Sequence, residues 1–73
     1  MVNRQAFVNK LCEKKYSFKG QQKRTYLWKK DGGTHRVFVP MKDLLDDEWV
    51  QSQLGQMGCS AEEIRLFIGS RKN

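Results

Sequence analysis

This chain is poor in the residues that usually announce a chemistry. It has one proline, one histidine and two cysteines in 73 residues. With Cys12, Cys59 and His35 as the full inventory of soft ligands, it falls short of the roughly four that a structural zinc site needs. The cysteines lie far apart, each where an apolar residue would serve, one on a helical stripe and one just after a glycine. They read as two buried thiols rather than a disulfide. Long apolar runs are missing too: nothing approaches the roughly 20 residues needed to cross a bilayer, and Met1 to Lys10 lacks the apolar stretch of a signal peptide. A cytoplasmic protein without membrane, metal or cofactor is expected. No phosphate-cradling glycine loop, nucleophile elbow or Cys-x-x-Cys is present, so the common nucleotide-hydrolysing, esterase and redox signatures are excluded.

Apolar residues for a core are there. Eight aromatics and repeated Val, Leu and Ile, at 38% hydrophobic and 30% charged, fit a folded domain. At this length one core is all the chain can build, and it buries a modest share of the unfolded surface. We therefore expect a single domain over 1–73, with 70–73 a loose tail.

Charge is the first informative presence. Residues 1–42 hold eleven Lys or Arg against Glu13 and Asp31, 11 − 2 = +9, whereas residues 43–73 hold three against six acids, 3 − 6 = −3. The net +6 hides a dipolar molecule. A one-sided positive field attracts phosphate backbones, although surplus lysine also serves solubility.

Periodicity supplies the elements. Asn3 can cap a helix over 4–14 in which Phe7, Val8, Leu11 and Cys12 form an apolar stripe and Arg4, Lys10 and Lys14 lie on the other side. Three short segments then alternate with a period of two: 16–19, ended by Gly20, then 24–29 and 34–39, ended by Pro40. Asp31-Gly32 between the last two is a strong hairpin signal, since glycine accepts positive φ without strain. Residues 41–45 lead off the sheet. Asp46, Asp47 and Glu48 suit the positive end of a second helix, 46–57, whose stripe of Trp49, Val50, Leu54 and Met57 stops at Gly58. Gly55 inside it hints at close packing. Ser60-Ala61-Glu62-Glu63 is a capping box that opens a short third helix ending near Gly69. The fold class is α+β, in the order α-β-β-β-α(-α), with helices packed on one face of a three-stranded antiparallel meander and the other face free.

Three constellations could carry function. In the stretch 14–36, Tyr16, Phe18, Tyr26 and Trp28 alternate with lysines and arginines; cations can pair with phosphates and exposed rings can stack on bases, but one parity of each strand can equally be core. His35, the sole histidine, could act as acid or base. It shares parity with Val37 and Val39, so if the valines face the helices it ends a core row instead. The acids Asp43, Asp46, Asp47 and Glu48 could bind a metal, but a helix start explains them.

The layout resembles the HicA-type toxins of bacterial toxin and antitoxin pairs, small basic proteins with a double-stranded-RNA-binding-domain-like fold. The likeness rests on a helix ending before Lys15-Tyr16-Ser17-Phe18-Lys19, a strand leading into Lys30-Asp31-Gly32, the strand end Val37-Phe38-Val39-Pro40, and the final helical pair joined by Met57-Gly58-Cys59-Ser60-Ala61-Glu62-Glu63. The resemblance implies a metal-independent endoribonuclease neutralised by an antitoxin, with a catalytic histidine after a Gly-Ser pair at the start of the second strand. Here Gln22-Lys23 stands for Gly-Ser and Arg24 for the histidine. Arginine cannot serve as a base at neutral pH, though it can stabilise developing charge. The expectation is thus an RNA-binding protein contacting phosphates through Lys15, Lys19, Lys23, Arg24, Lys29, Lys30 and Arg36, without an evident residue for cleavage unless His35 faces the same groove. The alternative is a protein-interaction module or inhibitor, mobile-element encoded, that binds an acidic partner through its basic face. Monomer and dimer are both open.

Overall fold

The computed structural model describes residues 1–71. A short strand β1 (Val2–Asn3) runs into helix α1 (Arg4–Glu13), followed by strands β2 (Tyr16–Gln22), β3 (Thr25–Lys30) and β4 (Arg36–Pro40), a short strand β5 (Leu44–Leu45), and helices α2 (Asp47–Gln56) and α3 (Ala61–Arg71). β2, β3 and β4 form an antiparallel sheet in that order, so the α+β architecture follows the sequence pattern. Arg71 is helical, so α3 runs past Gly69; Lys72 and Asn73 of the expected tail lie outside the described residues.

One pairing escaped the sequence. β1 and β5 make a separate two-stranded sheet with Val2 opposite Leu45 and Asn3 opposite Leu44, and the Arg4 amide donates to the Asp43 carbonyl at 2.8 Å. The residues read as a mere connection therefore return to the chain's start and bury Val2 and Leu45. Two-residue strands are too short to show a period, and so carry no signal of their own.

Both ends of α1, the end of α2 and the start of α3 have identifiable causes, whereas Asp46 at the start of α2 makes no side-chain capping bond. Asn3 Oδ1 accepts from the amides of Gln5 (2.9 Å) and Ala6 (3.3 Å), capping α1. At the end of α2, the Cys59 amide donates to the Leu54 carbonyl and the Gly58 amide to the Gly55 carbonyl, with Gly58 at φ 89; this paired closure is the Schellman arrangement. α1 ends with Lys15 at the equivalent place and φ 69, so a residue with a Cβ occupies a conformation that suits glycine. Ser60 Oγ accepts from the Glu63 amide at 3.1 Å, giving half of the expected capping box. The Glu63 side chain does not reach back; it crosses to α1 instead. Gly55 packs against nothing: a Cβ there would meet no atom within 4 Å, which corrects the close-packing expectation.

The core is made of Phe7 and Leu11 from α1, Tyr16, Val37 and Val39 from the sheet, Val50 and Leu54 from α2, and Cys59 and Ile68 from the α3 side, together with Val2 and Leu45. Phe7 lies 5.3 Å from the Trp49 ring, tying α1 to α2. Cys12 is exposed, not buried. A helical step of about 100° separates it from Leu11, which carries it off a face only as wide as the Phe7–Leu11 line. Both thiols are free, and burial pushes the Cys59 thiol above its ordinary range. Among the described residues no helix is long and apolar enough to cross a membrane.

Candidate nucleic-acid interface

Register assigns each strand residue to a face. Val37 and Val39 are fully buried, and they stand opposite Trp28 and Tyr26; Trp28 in turn stands opposite Phe18, and Tyr26 opposite Gln21. Cross-strand partners share a face. Tyr26, Trp28 and Phe18 therefore lie on the helix side of the sheet, where Tyr26 and Trp28 pack against the core. Phe18, on the edge strand, remains 54% exposed while its ring meets those of Trp28 at 5.7 Å and Tyr26 at 6.2 Å. The Arg4 guanidinium, at the start of α1, stands 5.5 Å from the centre of the Tyr26 ring, a tertiary contact for which the sequence carries no local signal.

The opposite face carries Lys29 facing Arg36, Leu27 facing Phe38, and Thr25, with Ser17 and Gly20 added by β2. Phe38 is 45% exposed there. This placement was open in the sequence, since either parity of β4 could have been core.

β2 does not stop at Gly20. Phe18 pairs with Trp28 but Gly20 pairs with Leu27, so Lys19 is an extra residue in a bulge, with Gly20 at φ 145. After it the strand resumes to Gln22 and turns through Lys23-Arg24 into β3. Lys23 has φ 52, the positive value that two-residue hairpin turns demand. The second hairpin forms where the Asp-Gly signal lies: the Gly33 amide donates to the Lys30 carbonyl at 3.1 Å with Gly32 at φ 74.

The seven cations singled out in the sequence thus separate. Lys23 and Arg24 cap the first hairpin, Lys19 marks its bulge, Lys15 ends α1, and Lys29 and Arg36 share the open sheet face. Lys30 belongs elsewhere: on the helix side, its ammonium donates to the Lys14 carbonyl at 2.6 Å and lies 5.4 Å from the centre of the Tyr16 ring. It fastens the second hairpin to the end of α1 and is removed from the set of available phosphate ligands. Among the described residues none of the other six forms an ion pair.

Two further lysines are neutralised. Lys10 and Lys14, one helical turn apart, reach the same Glu63 oxygen at 2.9 and 2.7 Å. The hydrogen bonds from Lys14 and Lys10 hold the Glu63 carboxyl down at about 2, and the same bonds raise both ammonium groups above their ordinary value. Among the described residues, Lys19, Lys23, Arg24, Lys29 and Arg36 thus remain outside ion pairs on the sheet and its first hairpin.

His35 is a joint. Its Nδ1 lies 2.6 Å from the Tyr16 hydroxyl and its Nε2 3.3 Å from Gln56 Oε1. Gln56 Oε1 accepts only, which fits the proton on Nε2 and leaves Nδ1 to accept from Tyr16. Burial raises the Tyr16 hydroxyl above the usual phenol range, keeping it a donor. With Val37 and Val39 facing the helices, His35 ends the core row and links β2, the β4 approach and the end of α2. It also cannot complete a site with Arg24. The Met41 amide bonds the Arg24 carbonyl at one end of the β3–β4 hairpin, and the Lys30 amide bonds the His35 carbonyl at the other. The intervening positions, 24 to 30, span about 20 Å at roughly 3.3 Å per residue.

The acids 43, 46, 47 and 48 do not converge: among the described residues no group of three or more His, Cys, Asp or Glu could hold a metal ion. Asp47 pairs with the Met1 ammonium at 3.1 Å. Compared with known protein families, curated proteins and solved structures, the chain matches none.

Proposed function

We propose that this protein is a small RNA-binding protein, similar in kind to the HicA-type toxins in fold order and charge, that binds through phosphate contacts from Lys15, Lys19, Lys23, Arg24, Lys29 and Arg36. The observation that carries the reading is the pattern of neutralisation. Glu63 consumes Lys10 and Lys14, and Lys30 is spent on the Lys14 carbonyl, while among the described residues those six cations form no ion pair. Unpaired cations on a molecule of net charge +6 displace the condensed counterions of a polyanion when they meet its phosphates, and that release drives binding.

The reading stops at binding. An arginine guanidinium, which is what stands at position 24, cannot take a proton from a ribose hydroxyl. Both nitrogens of His35 are engaged within the fold, about 20 Å along β3 from Arg24.

The test is binding of the purified protein to short duplex RNA, single-stranded RNA and duplex DNA across a salt series, with the same samples run for cleavage. Six duplex phosphate contacts would give a slope of log affinity on log salt of roughly −5. A flat salt response would overturn the proposal. Recovery from cells of one stoichiometric acidic protein and no RNA would point instead to a protein partner, and cleaved RNA would restore the nuclease reading.

A further inference from the structure

The outer face of the sheet is not explained by general charge. Lys29 and Arg36 stand directly opposite one another, with Cα atoms roughly 5 Å apart. Facing like charges cost the sheet stability. Among the described residues no carboxylate forms an ion pair with either side chain, and Asp31, at the same end of the face, takes a hydrogen bond from the Ser17 hydroxyl at 2.6 Å instead. Next along the ladder, Leu27 and Phe38 make an apolar patch, with Phe38 45% exposed while Val37 and Val39 of the opposite parity are fully buried.

We propose that this face holds an unpaired nucleotide of the bound RNA, its base stacked on Phe38 against the Leu27 shoulder and its backbone phosphate drawn to Lys29 and Arg36. The inference rests on the RNA-binding reading and adds the form of RNA and the place. Phe38 and Arg36 are two residues apart on one strand face, about 7 Å, which sets the cation within reach of the phosphate beside a stacked base. A duplex buries the faces of its bases in its own stack, so an exposed ring has a partner only where the strand is single. The phosphate also removes the cost of the Lys29–Arg36 confrontation. Stacking uses the face of the base, which every base has, so the Phe38 contact tolerates any base.

The experiment compares a short single-stranded RNA with an RNA duplex, by fluorescence anisotropy, for the wild type, Phe38→Ala, Phe38→Trp and Arg36→Ala. Phe38→Ala is expected to weaken single-strand binding about tenfold and to leave duplex binding unchanged; Phe38→Trp restores the single-strand affinity, and keeps the test informative if the alanine variant fails to fold. Arg36→Ala lowers affinity for both and reduces the salt slope by about 1. Salt-sensitive RNA binding by the wild type that Phe38→Ala leaves unchanged, or lowers equally for both RNAs, overturns the stacking site while the RNA-binding reading stands. No RNA binding by the wild type overturns both.

Discussion

Lys14 and Glu63 meet across the α1–α3 contact at 2.7 Å, and Lys10 closes on the same carboxylate oxygen from the preceding helical turn. One acid thus holds two helices together and withdraws two cations from the surface.

This clamp has a pH signature. The unfolded Glu63 carboxyl titrates near 4.5 and the folded one near 2, so its contribution is complete above pH 4.5 and is lost as pH falls towards 2. The lysines move oppositely. Their folded values lie above 10.5, so their share is complete below pH 10.5 and disappears as pH rises through those values. Thermal melts from pH 2 to 7 should show Glu63→Gln melting lower than wild type at pH 7, with the two curves converging at the acid end. Equal melting at pH 7 would remove the clamp from the account of stability.

Gly55 offers a gain without a contact. It lies inside α2, is exposed, and leaves open space where a Cβ would stand. Gly55→Ala should stabilise by about 1 kcal/mol, raising Tm by about 4–8 °C in a domain of this size. A lower Tm would mean that the space is filled by something the fold brings in.

Lys15 separates stability from binding. Its φ of 69 is the left-handed region, and Lys15→Gly should stabilise by roughly 1 kcal/mol. The same change deletes one phosphate contact and should make the salt slope shallower by about 1. If stability rises while the slope is unchanged, Lys15 is outside the interface.

His35 gives the inverse. Tyr16→Phe strands Nδ1 and should cost about 1–2 kcal/mol, and His35→Ala should cost at least as much. Both variants should retain RNA affinity and its salt slope at temperatures where they are folded. A His35→Ala variant that melts like wild type but loses growth-arresting or RNA-cleaving activity would put the histidine back into chemistry.

Much of this arrangement could be read from the chain. Phe7 and Leu11, the valines of β4 and the Val50–Leu54 line carry their periods openly, and Gly58, Asn3 and Ser60 announce helix ends through local hydrogen bonding. What stayed hidden depended on tertiary choices. The face taken by Tyr26 and Trp28 is decided by which side of β4 the helices cover, and alternation alone is symmetric between the two. The fate of Glu63 was hidden similarly: its local partner was Ser60, but two lysines on another helix offered more. Lys30 looked equivalent to Lys29 in sequence, and one step along a strand put one ammonium against a carbonyl and the other on the open face. The trace the clamp leaves in the sequence is the one-turn spacing of Lys10 and Lys14 and an acid, Glu63, in the first turn of the last helix.

The bulge at Lys19 has a consequence for crowds of this molecule. β2 is an outermost strand, and the outward row of amides and carbonyls on a strand of seven residues is a template on which a second chain can crystallise into a growing ribbon. Lys19 interrupts that row at its middle, Gly20 bends it, and Lys15 and Lys23 stand at its two ends. An incoming strand meets a broken ladder and a lysine at every approach, so the β2 edge is guarded against this kind of polymerisation.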